Sequence, residues 1–418
     1  MYYLIGKNLI HSYSQEIHSL LGNKEYSLLS LNEEEFHDFM MKKQYKGINI
    51  TIPYKESALK YIDVFDDISK KTGVVNTLIN ENCIIKGYNT DYYGFLKMCK
   101  NYNIDFKDKV ALILGTGATS KTVKLCLENQ GIKKIYFVSR NKKDNCLTYK
   151  EAESIDKVDY IINTTPYGMY PSFQEENLLD INKFSNLSAC IDVVYNPFRT
   201  PLLIEAKRNN IKALSGLEML IEQARYADQL FFLHINNQNI YKKVFLDKIN
   251  IALIGMPNSG KTTIGRALSE LMNKEFIDTD LEIEKVINCS INDCFQTHGE
   301  VYFRQIEEKI IEKVSSCQGK IVSLGGGAFT NEKNIKNIMR NSLIIYLNRS
   351  LEFLEKNPQN IIRPLLKNKD SIKQLYLNRH DIFLSCMDIE VACNNDIYDT
   401  VNDVIKQLDK YFEYKQDQ

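Results

Sequence analysis

The octapeptide Gly255-Met256-Pro257-Asn258-Ser259-Gly260-Lys261-Thr262 follows directly on the apolar run Ile251-Ala252-Leu253-Ile254. No other feature restricts the fold so tightly. A glycine-framed loop ending in Lys-Thr serves as the turn from a buried strand into a helix, where backbone N–H groups cradle phosphates, the lysine reaches the β/γ-phosphates and the threonine meets Mg²⁺. A second glycine-rich loop, Gly115-Thr116-Gly117-Ala118-Thr119-Ser120, follows Val110-Ala111-Leu112-Ile113-Leu114, a context that suits a dinucleotide pyrophosphate at a helix N-terminus. The pair predicts two catalysts in one chain, a redox enzyme followed by a phosphotransferase.

At 418 residues the chain exceeds what one hydrophobic core organises, and roughly two to four domains are expected. Lys plus Arg and Asp plus Glu balance at 53 each, so no net field draws the chain to nucleic acid or to an anionic membrane. The segment Met1–Lys7 reaches a glycine and a lysine before a signal-length apolar stretch forms, and no run approaches spanning length, so a cytoplasmic protein is expected. The ten cysteines stand singly, without a C-x-x-C pair, and read as reduced fillers rather than disulfides or zinc ligands.

Short apolar runs alternate with longer amphipathic stretches, the pattern of α/β architecture with mainly parallel sheets. Strands are expected at 48–51, 110–114, 135–138, 160–163, 189–192, 251–254, 321–324 and 343–347. Thr200-Pro201 and Asn331-Glu332 are expected helix starts. The polar stretch Asn236-Asn237-Gln238-Asn239 sets a boundary near residues 240 to 249. A linker this short keeps the halves close. The expected organisation is an α/β domain over 1–96 completed by helices in 216–244, a Rossmann-type α/β domain around the glycine-rich loop over 97–215, and a P-loop domain with a parallel sheet over 248–418.

A Gly-x-Gly-x-x-Ser loop alone is a weak signal, because glycine turns close many strand-to-helix junctions. The following apolar run ends in Arg140, with Lys142 and Lys143 behind it. An NAD enzyme places a carboxylate there for the ribose hydroxyls, whereas a guanidinium suits a 2′-phosphate, hence NADP(H). Ser12 and Ser14 would share one side of an extended segment. Lys55 follows a proline-stopped strand, Asn76 adds an amide, and Asp91 adds a carboxylate. Each has a plain alternative: Lys55 as a solvated charge, Asp91 as the cap of a helix opening near Tyr92, His11 as a structural hydrogen-bonder.

Taken together, these residues resemble shikimate dehydrogenase across the first half. The Ser-x-Ser, Asn-x-Thr-x-Pro-x-Lys, Gly-x-x-Asn-Thr and Asn-Thr-Asp motifs occur in order. They are followed by Asn163-Thr164-Thr165-Pro166-Tyr167-Gly168-Met169, Asp192-Val193-Val194-Tyr195-Asn196-Pro197 and the run from Gly216 to Gln223. The resemblance implies that Ser12 and Ser14 hold the substrate carboxylate and that Thr51, Asn76 and Gln223 bind ring hydroxyls, with Tyr195 also at the substrate. It makes Lys55 and Asp91 the catalytic pair, and it sets Gly115, Gly117, Ala118, Ser120, Arg140 and Gly216 around the cofactor. The chemistry agrees, since hydride addition to a ketone builds charge on oxygen that a lysine held by a carboxylate can stabilise and protonate. Gln15 and Ser19 stand where the family usually has proline and asparagine. These departures bear on loop rigidity and substrate affinity.

In the second half the P-loop fixes NTP binding but not the acceptor. Asp278 and Asp280, one residue apart, would point the same way from an extended segment. Arg304, Arg363, Arg379 and the run Gly325-Gly326-Gly327 suit an acidic acceptor and a charged transition state. This segment resembles shikimate kinase from Ile251 to the C-terminal helix. The resemblance implies that Asp280, Arg304, Gly326 and Arg379 hold shikimate, with Asp280 catalytic. Gly255, Gly260, Lys261, Thr262 and Thr263 would bind ATP, with Lys261 also catalytic, and Thr262 and Asp278 would serve Mg²⁺. Arg363 would close over the phosphates on a lid that includes residues 357–362. The whole then reads as a bifunctional shikimate-pathway enzyme acting on the small molecules 3-dehydroshikimate and shikimate. The rivals are a quinate/shikimate dehydrogenase fused to a small-molecule kinase, and a protein with one half catalytically dead.

Overall fold

The structure, a computed structural model, describes residues 1–142, 145–174, 176–233, 238–356, 369–393 and 396–413. The chain divides into two compact units: Met1–Tyr195 with Ile211–Val244, and Asn196–Asn210 with Phe245–Asp417. Among the described residues no helix is long and apolar enough to cross a membrane.

The first unit contains two sheets. One comprises β1 (Tyr2–Gly6), β2 (Tyr26–Ser30), β3 (Gly47–Ile50), β4 (Val64–Phe65), β5 (Thr77–Glu81) and β6 (Ile84–Tyr88), in the order β2-β1-β3-β5-β6-β4. It is mixed: β5 runs antiparallel to both β3 and β6. The reversal is made by Asn82 and Cys83 at φ 53° and 68°, a two-residue hairpin turn whose left-handed pair matches the strand twist. An Asn-Cys turn lacks the glycine that announces such a hairpin, so this antiparallel excursion within mainly parallel sheets carries no signal in the sequence.

The second sheet comprises β7 (Val110–Leu114), β8 (Lys134–Val138), β9 (Cys146–Leu147), β10 (Tyr160–Asn163), β11 (Ala189–Asp192) and β12 (Lys212–Ser215). All pairings are parallel, in the order β12-β11-β10-β7-β8-β9. Leu112, Ile113, Ile161 and Ile162 are fully buried, as a strand covered on both faces requires, so these strands are near-continuous apolar runs. The strand order reverses between β7 and β10. The crevice for a dinucleotide therefore opens beyond their carboxyl ends.

The second unit carries a five-stranded parallel sheet of β13 (Asn250–Ile254), β14 (Phe276–Asp278), β15 (Ile321–Ser323), β16 (Ser342–Asn348) and β17 (Ile389–Ala392), in the order β14-β15-β13-β16-β17. β13 is central and buried along its whole length. The loop after it opens at the carboxyl edge of the sheet. The expected helix starts appear as Pro201–Arg208 and Glu332–Arg340, and Asn331 caps the latter by accepting from the Lys333 N–H.

Candidate active sites

In the first unit, β3 ends at Ile50 and the chain turns through Tyr54, whose ring stacks on Phe36 with centroids 4.2 Å apart and whose hydroxyl donates to the Leu31 carbonyl at 2.7 Å. With Tyr54 anchored in the core, Lys55 emerges beyond the strand. Its ammonium contacts the carboxylate of Asp91, and the two side chains are only 13% and 10% exposed. Asp91 lies in the first turn of helix Thr90–Asn101, where the helix dipole favours negative charge. It is paired rather than merely capping. Its other oxygen accepts from Asn76 Nδ2 at 3.0 Å, and that same nitrogen lies 3.4 Å from Gln223 Oε1. Thr90 completes the net through its backbone N–H to Asn76 Oδ1 at 2.7 Å and its hydroxyl to Gln223 Oε1 at 3.3 Å. The structure thus brings Lys55, Asp91, Asn76 and Gln223 together, and Thr90 is a member that the motifs did not single out.

Ser12 and Ser14 do not sit on an extended segment. A helix begins at Ser14, and the Ser14 N–H donates to Ser12 Oγ at 3.2 Å, so local turn formation overrides the alternating geometry. Ser12 also hydrogen-bonds Tyr195, whose phenol is pushed up by burial, and Tyr195 packs on Tyr13 with centroids 5.1 Å apart. Ser14 is buried beside this group. Thr51, half-buried at the end of β3, leaves no room for a side chain at Gly6, whose Cβ would fall 2.6 Å from the threonine methyl.

A cavity of about 750 Å³ carries Pro53 and Lys55 on its wall together with Gly115, Gly117 and Ala118 of the glycine loop and Arg140. Gly117 faces open space at the N-terminus of the 12-residue helix Ala118–Asn129 and has no side chain capping it. That is a cradle for a pyrophosphate. Arg140 is exposed at the carboxyl end of β8, while its neighbour Lys142 is held by Glu151 at 2.6 Å. Lys143 lies outside the described residues. Ser120 turns inward, donating to the Gly117 carbonyl at 2.6 Å, and so shapes the loop. Gly216 makes room for backbone: a Cβ there would lie 2.2 Å from the Val193 carbonyl oxygen.

In the second unit, Gly255 has φ +153° and a Cβ on it would fall 2.7 Å from the Leu347 carbonyl oxygen, so only glycine opens this loop. Lys261 Nζ donates to the carbonyls of Gly255 and Met256, both at 3.0 Å. Thr262 Oγ1 donates to Asp278 Oδ2 at 2.6 Å. The helix Thr279–Ile287 starts two residues earlier than an extended Asp278–Asp280 segment would allow. Asp278 caps it, accepting from the Asp280 N–H at 3.0 Å. Both carboxylates nevertheless line one cavity of about 460 Å³ with Gly260, Lys261, Thr262 and Thr263.

Ser323, Leu324 and Gly326 line the same cavity, and Gly326 is the middle of three successive glycines. A Cβ on Gly325 would lie 2.3 Å from Asp280 Oδ1, one on Gly326 3.3 Å from Arg379 Nη1, and one on Gly327 2.4 Å from Arg304 Nη1. Each glycine therefore lets backbone approach one member of the expected acceptor site. Arg304 is held by Glu307 at 2.7 Å and Glu300 at 3.1 Å. Glu307 is only 2% exposed, and burial pushes its carboxyl above the ordinary range despite the neighbouring Arg304. The motif reading passed over Glu307, although its place three residues after Arg304 puts both on one helix face. Arg349 was also missed: it lines the cavity, donates to the Cys393 carbonyl at 2.7 Å and lies 4.2 Å over the Phe353 ring. Arg363 and the lid expected around it lie outside the described residues.

Comparison with known proteins bears on both units. Residues 4–78 match the family model for the shikimate dehydrogenase substrate binding domain, and residues 257–409 match that for shikimate kinase. A shikimate dehydrogenase (NADP(+)) from Clostridium beijerinckii is 39% identical over 248 residues, covering 55% of this chain and 91% of that protein. Among solved structures, a chorismate mutase/shikimate 5-dehydrogenase fusion protein from Clostridium acetobutylicum is 33% identical with a TM-score of 0.54, covering 58% of this chain and 94% of the other. A shikimate 5-dehydrogenase from Thermus thermophilus, solved in complex with NADP(H) and shikimate, is 25% identical with a TM-score of 0.52, covering 58% and 97%.

Proposed function

We infer that this chain, which belongs to the shikimate dehydrogenase family through its first half and carries a shikimate kinase domain over residues 257–409, converts 3-dehydroshikimate to shikimate with NADPH and then shikimate to shikimate 3-phosphate with ATP and Mg²⁺. The observation that carries the first step is that one cavity has Lys55 on one wall and the glycine loop with Arg140 on another. We assign substrate binding to residues 1–96 with 216–244, NADP(H) binding to 97–215 and phosphoryl transfer to 248–418.

Ser12, Ser14 and Tyr195 hold the carboxylate end of the ring, and Thr51, Asn76 and Gln223 its hydroxyls. NADPH, when bound along Gly115–Ser120 with its 2′-phosphate at Arg140, supplies a hydride to the ketone carbon. Lys55 stabilises the charge that develops on the ketone oxygen and gives it a proton, while Asp91 keeps the ammonium charged and aimed. Asn76 fixes Asp91 in turn.

In the second unit, Asp280, Arg304, Gly326 and Arg379 hold shikimate. The hydroxyl made in the first step is the nucleophile of the second. ATP supplies the phosphoryl group, and Lys261 neutralises charge on it during transfer. The Thr262 hydroxyl and the Asp278 carboxylate suit an oxygen-preferring Mg²⁺ that keeps several of its waters. Phosphorylation blocks the reverse oxidation.

The test is a coupled assay with 3-dehydroshikimate, NADPH, ATP and Mg²⁺. Loss of NADPH and appearance of shikimate 3-phosphate in equal amounts is the expected result. A preference for NADH, or reduction without phosphate ester, would overturn the reading for the corresponding half.

A further inference from the structure

Asn49 stands in β3 between Ile48 and Ile50 and is only 4% exposed. An amide in such a place costs stability unless its hydrogen bonds are made, and an aliphatic side chain would fill it without that demand. The register of the sheet sets Asn49 directly opposite Thr77 of β5, and Asn49 Nδ2 donates to Thr77 Oγ1 at 2.9 Å. From β2 the buried Tyr26 donates its hydroxyl to Asn49 Oδ1 at 2.6 Å. The Tyr26 ring is in turn held by His18, stacked on it with centroids 3.7 Å apart, and His18 Nδ1 bonds Asp228 Oδ1 at 2.8 Å. All of these residues belong to the first unit.

The direction of this run follows from backbone groups that have only one role. Asn49 Nδ2 also lies 3.5 Å from the Asn76 carbonyl, which can only accept, so the amide nitrogen is on that side and Tyr26 is the donor to the amide oxygen. Thr77 Oγ1, accepting from Asn49, keeps its own proton to give, and Asn76 Oδ1 at 3.2 Å and Thr90 Oγ1 at 3.1 Å are within its reach. The oxygen of Asn76 is fixed in the same way, because the Thr90 N–H at 2.7 Å can only donate to it. Asn76 Nδ2 is thereby turned to Asp91 Oδ1 at 3.0 Å and towards Gln223 Oε1 at 3.4 Å. Tyr26 and Thr77 are 2% and 0% exposed, too buried to touch a bound substrate. Their run of bonds nevertheless ends on the carboxylate that holds Lys55.

We propose, resting on the reading of Lys55 and Asp91 as the catalytic pair, that Tyr26, Asn49 and Thr77 are positioning residues for ketone reduction. Their buried, one-way run of hydrogen bonds locks the Asn76 amide with its N–H towards Asp91, and so holds the carboxylate that aims Lys55. Without the Thr77 hydroxyl, Asn76 Oδ1 loses one of its donors and Asn49 Nδ2 loses its nearest acceptor. The Asn76 amide is then free to rock, and Asp91 with it, where the Lys55 ammonium must face the developing oxyanion. A displacement of about 1 Å in such a constellation costs up to roughly 10²-fold in rate. The cofactor cradle is untouched, so the effect falls on turnover and not on the hold of NADPH.

The test compares Thr77→Val, Thr77→Ser and Tyr26→Phe in the full chain. Valine keeps the shape of threonine and removes the hydroxyl, whereas serine keeps the hydroxyl and removes the methyl. Thr77→Val should lower kcat for reduction of 3-dehydroshikimate on the order of tenfold with KM for NADPH unmoved, and Thr77→Ser should restore most of it. A packing role predicts the opposite order, serine worse than valine. Tyr26→Phe, further back along the run, should lower kcat in the same direction by less. A second readout needs no activity. The side-chain amide NMR signals of Asn76 in the isotope-labelled full chain, identified by their loss in Asn76→Ala, should move in Thr77→Val and Tyr26→Phe and stay near the parent's in Thr77→Ser. If Thr77→Val costs the first unit its thermal transition, Tyr26→Phe decides by both readouts. Unmoved Asn76 signals in the variants that lack a hydroxyl, parent-like turnover in Thr77→Val, or a lower kcat in Thr77→Ser than in Thr77→Val would overturn the proposal. A parent chain that does not reduce 3-dehydroshikimate would sink the functional reading instead, and the amide signals would still decide this one.

Discussion

Replacing Lys55 by alanine isolates the redox chemistry. The Lys55 and Asp91 side chains are 13% and 10% exposed, so the charge acts in a partly desolvated site and is little screened by salt. A unit cation about 4 Å from a developing oxyanion contributes about 4 kcal/mol at an effective dielectric of about 20. Asp91, in contact with Lys55, cancels part of that field, leaving roughly 2–4 kcal/mol of differential stabilisation. At about 1.4 kcal/mol per tenfold, that is a loss of roughly 30- to 1000-fold in kcat. Loss of the proton donor extends the range toward 10⁴-fold. The assay is NADPH consumption at saturating 3-dehydroshikimate, with phosphorylation of added shikimate by the same preparation as an internal control for folding. Reduction within about fivefold of the parent, with the control intact, would refute the role given to Lys55.

Further expectations concern the other groups. Arg140→Ala should raise KM for NADPH far more than KM for NADH, measured on the same preparation, and equal effects would remove Arg140 from 2′-phosphate recognition. Lys261→Ala should leave NADPH consumption intact while shikimate accumulates unphosphorylated, followed by product chromatography. Gly325→Ala drives a methyl to 2.3 Å from Asp280 Oδ1, so phosphorylation should fall at least about tenfold with reduction unchanged. The carboxyl of Asp388 is pushed up by burial but held below its ordinary value near 3.8 by Arg199 first and then by Lys207 and the Ile344 N–H. A depressed carboxyl stabilises the folded unit above the unfolded value and loses that contribution as pH falls through the folded one, so melting of the second unit should gain no acid sensitivity from this group until below about pH 4. In Arg199→Met with Lys207→Met the sign reverses, and the variant's deficit should shrink as pH falls below 7 and the stranded carboxyl takes up a proton. A deficit independent of pH would exclude Asp388 as its source.

Much of this protein was legible along the chain because its chemistry is local. Phosphate loops need a buried strand, a glycine where no Cβ fits, and a helix N-terminus, all within a dozen or so residues. Gly255, Lys261 and Thr262 therefore announced themselves, as did Gly115 and Gly117. The buried parallel strands were visible for the same reason: β7 is a short, wholly apolar run, and β10, β11 and β13 are apolar but for one terminal Asn or Asp. Ser12–Ser14 and Asp278–Asp280 were placed correctly as neighbours but not in backbone form. Ser14 and Thr279 start helices, and a short polar side chain beside a helix start bonds the nearby N–H rather than continuing an extended run.

What depended on separation in sequence was decided only by the tertiary structure. Lys55 and Asp91 meet because β3 and helix Thr90–Asn101 converge, and Gln223 joins them from a helix far along the chain. The glycines at 325–327 matter because Asp280, Arg304 and Arg379 arrive against them from three different helices.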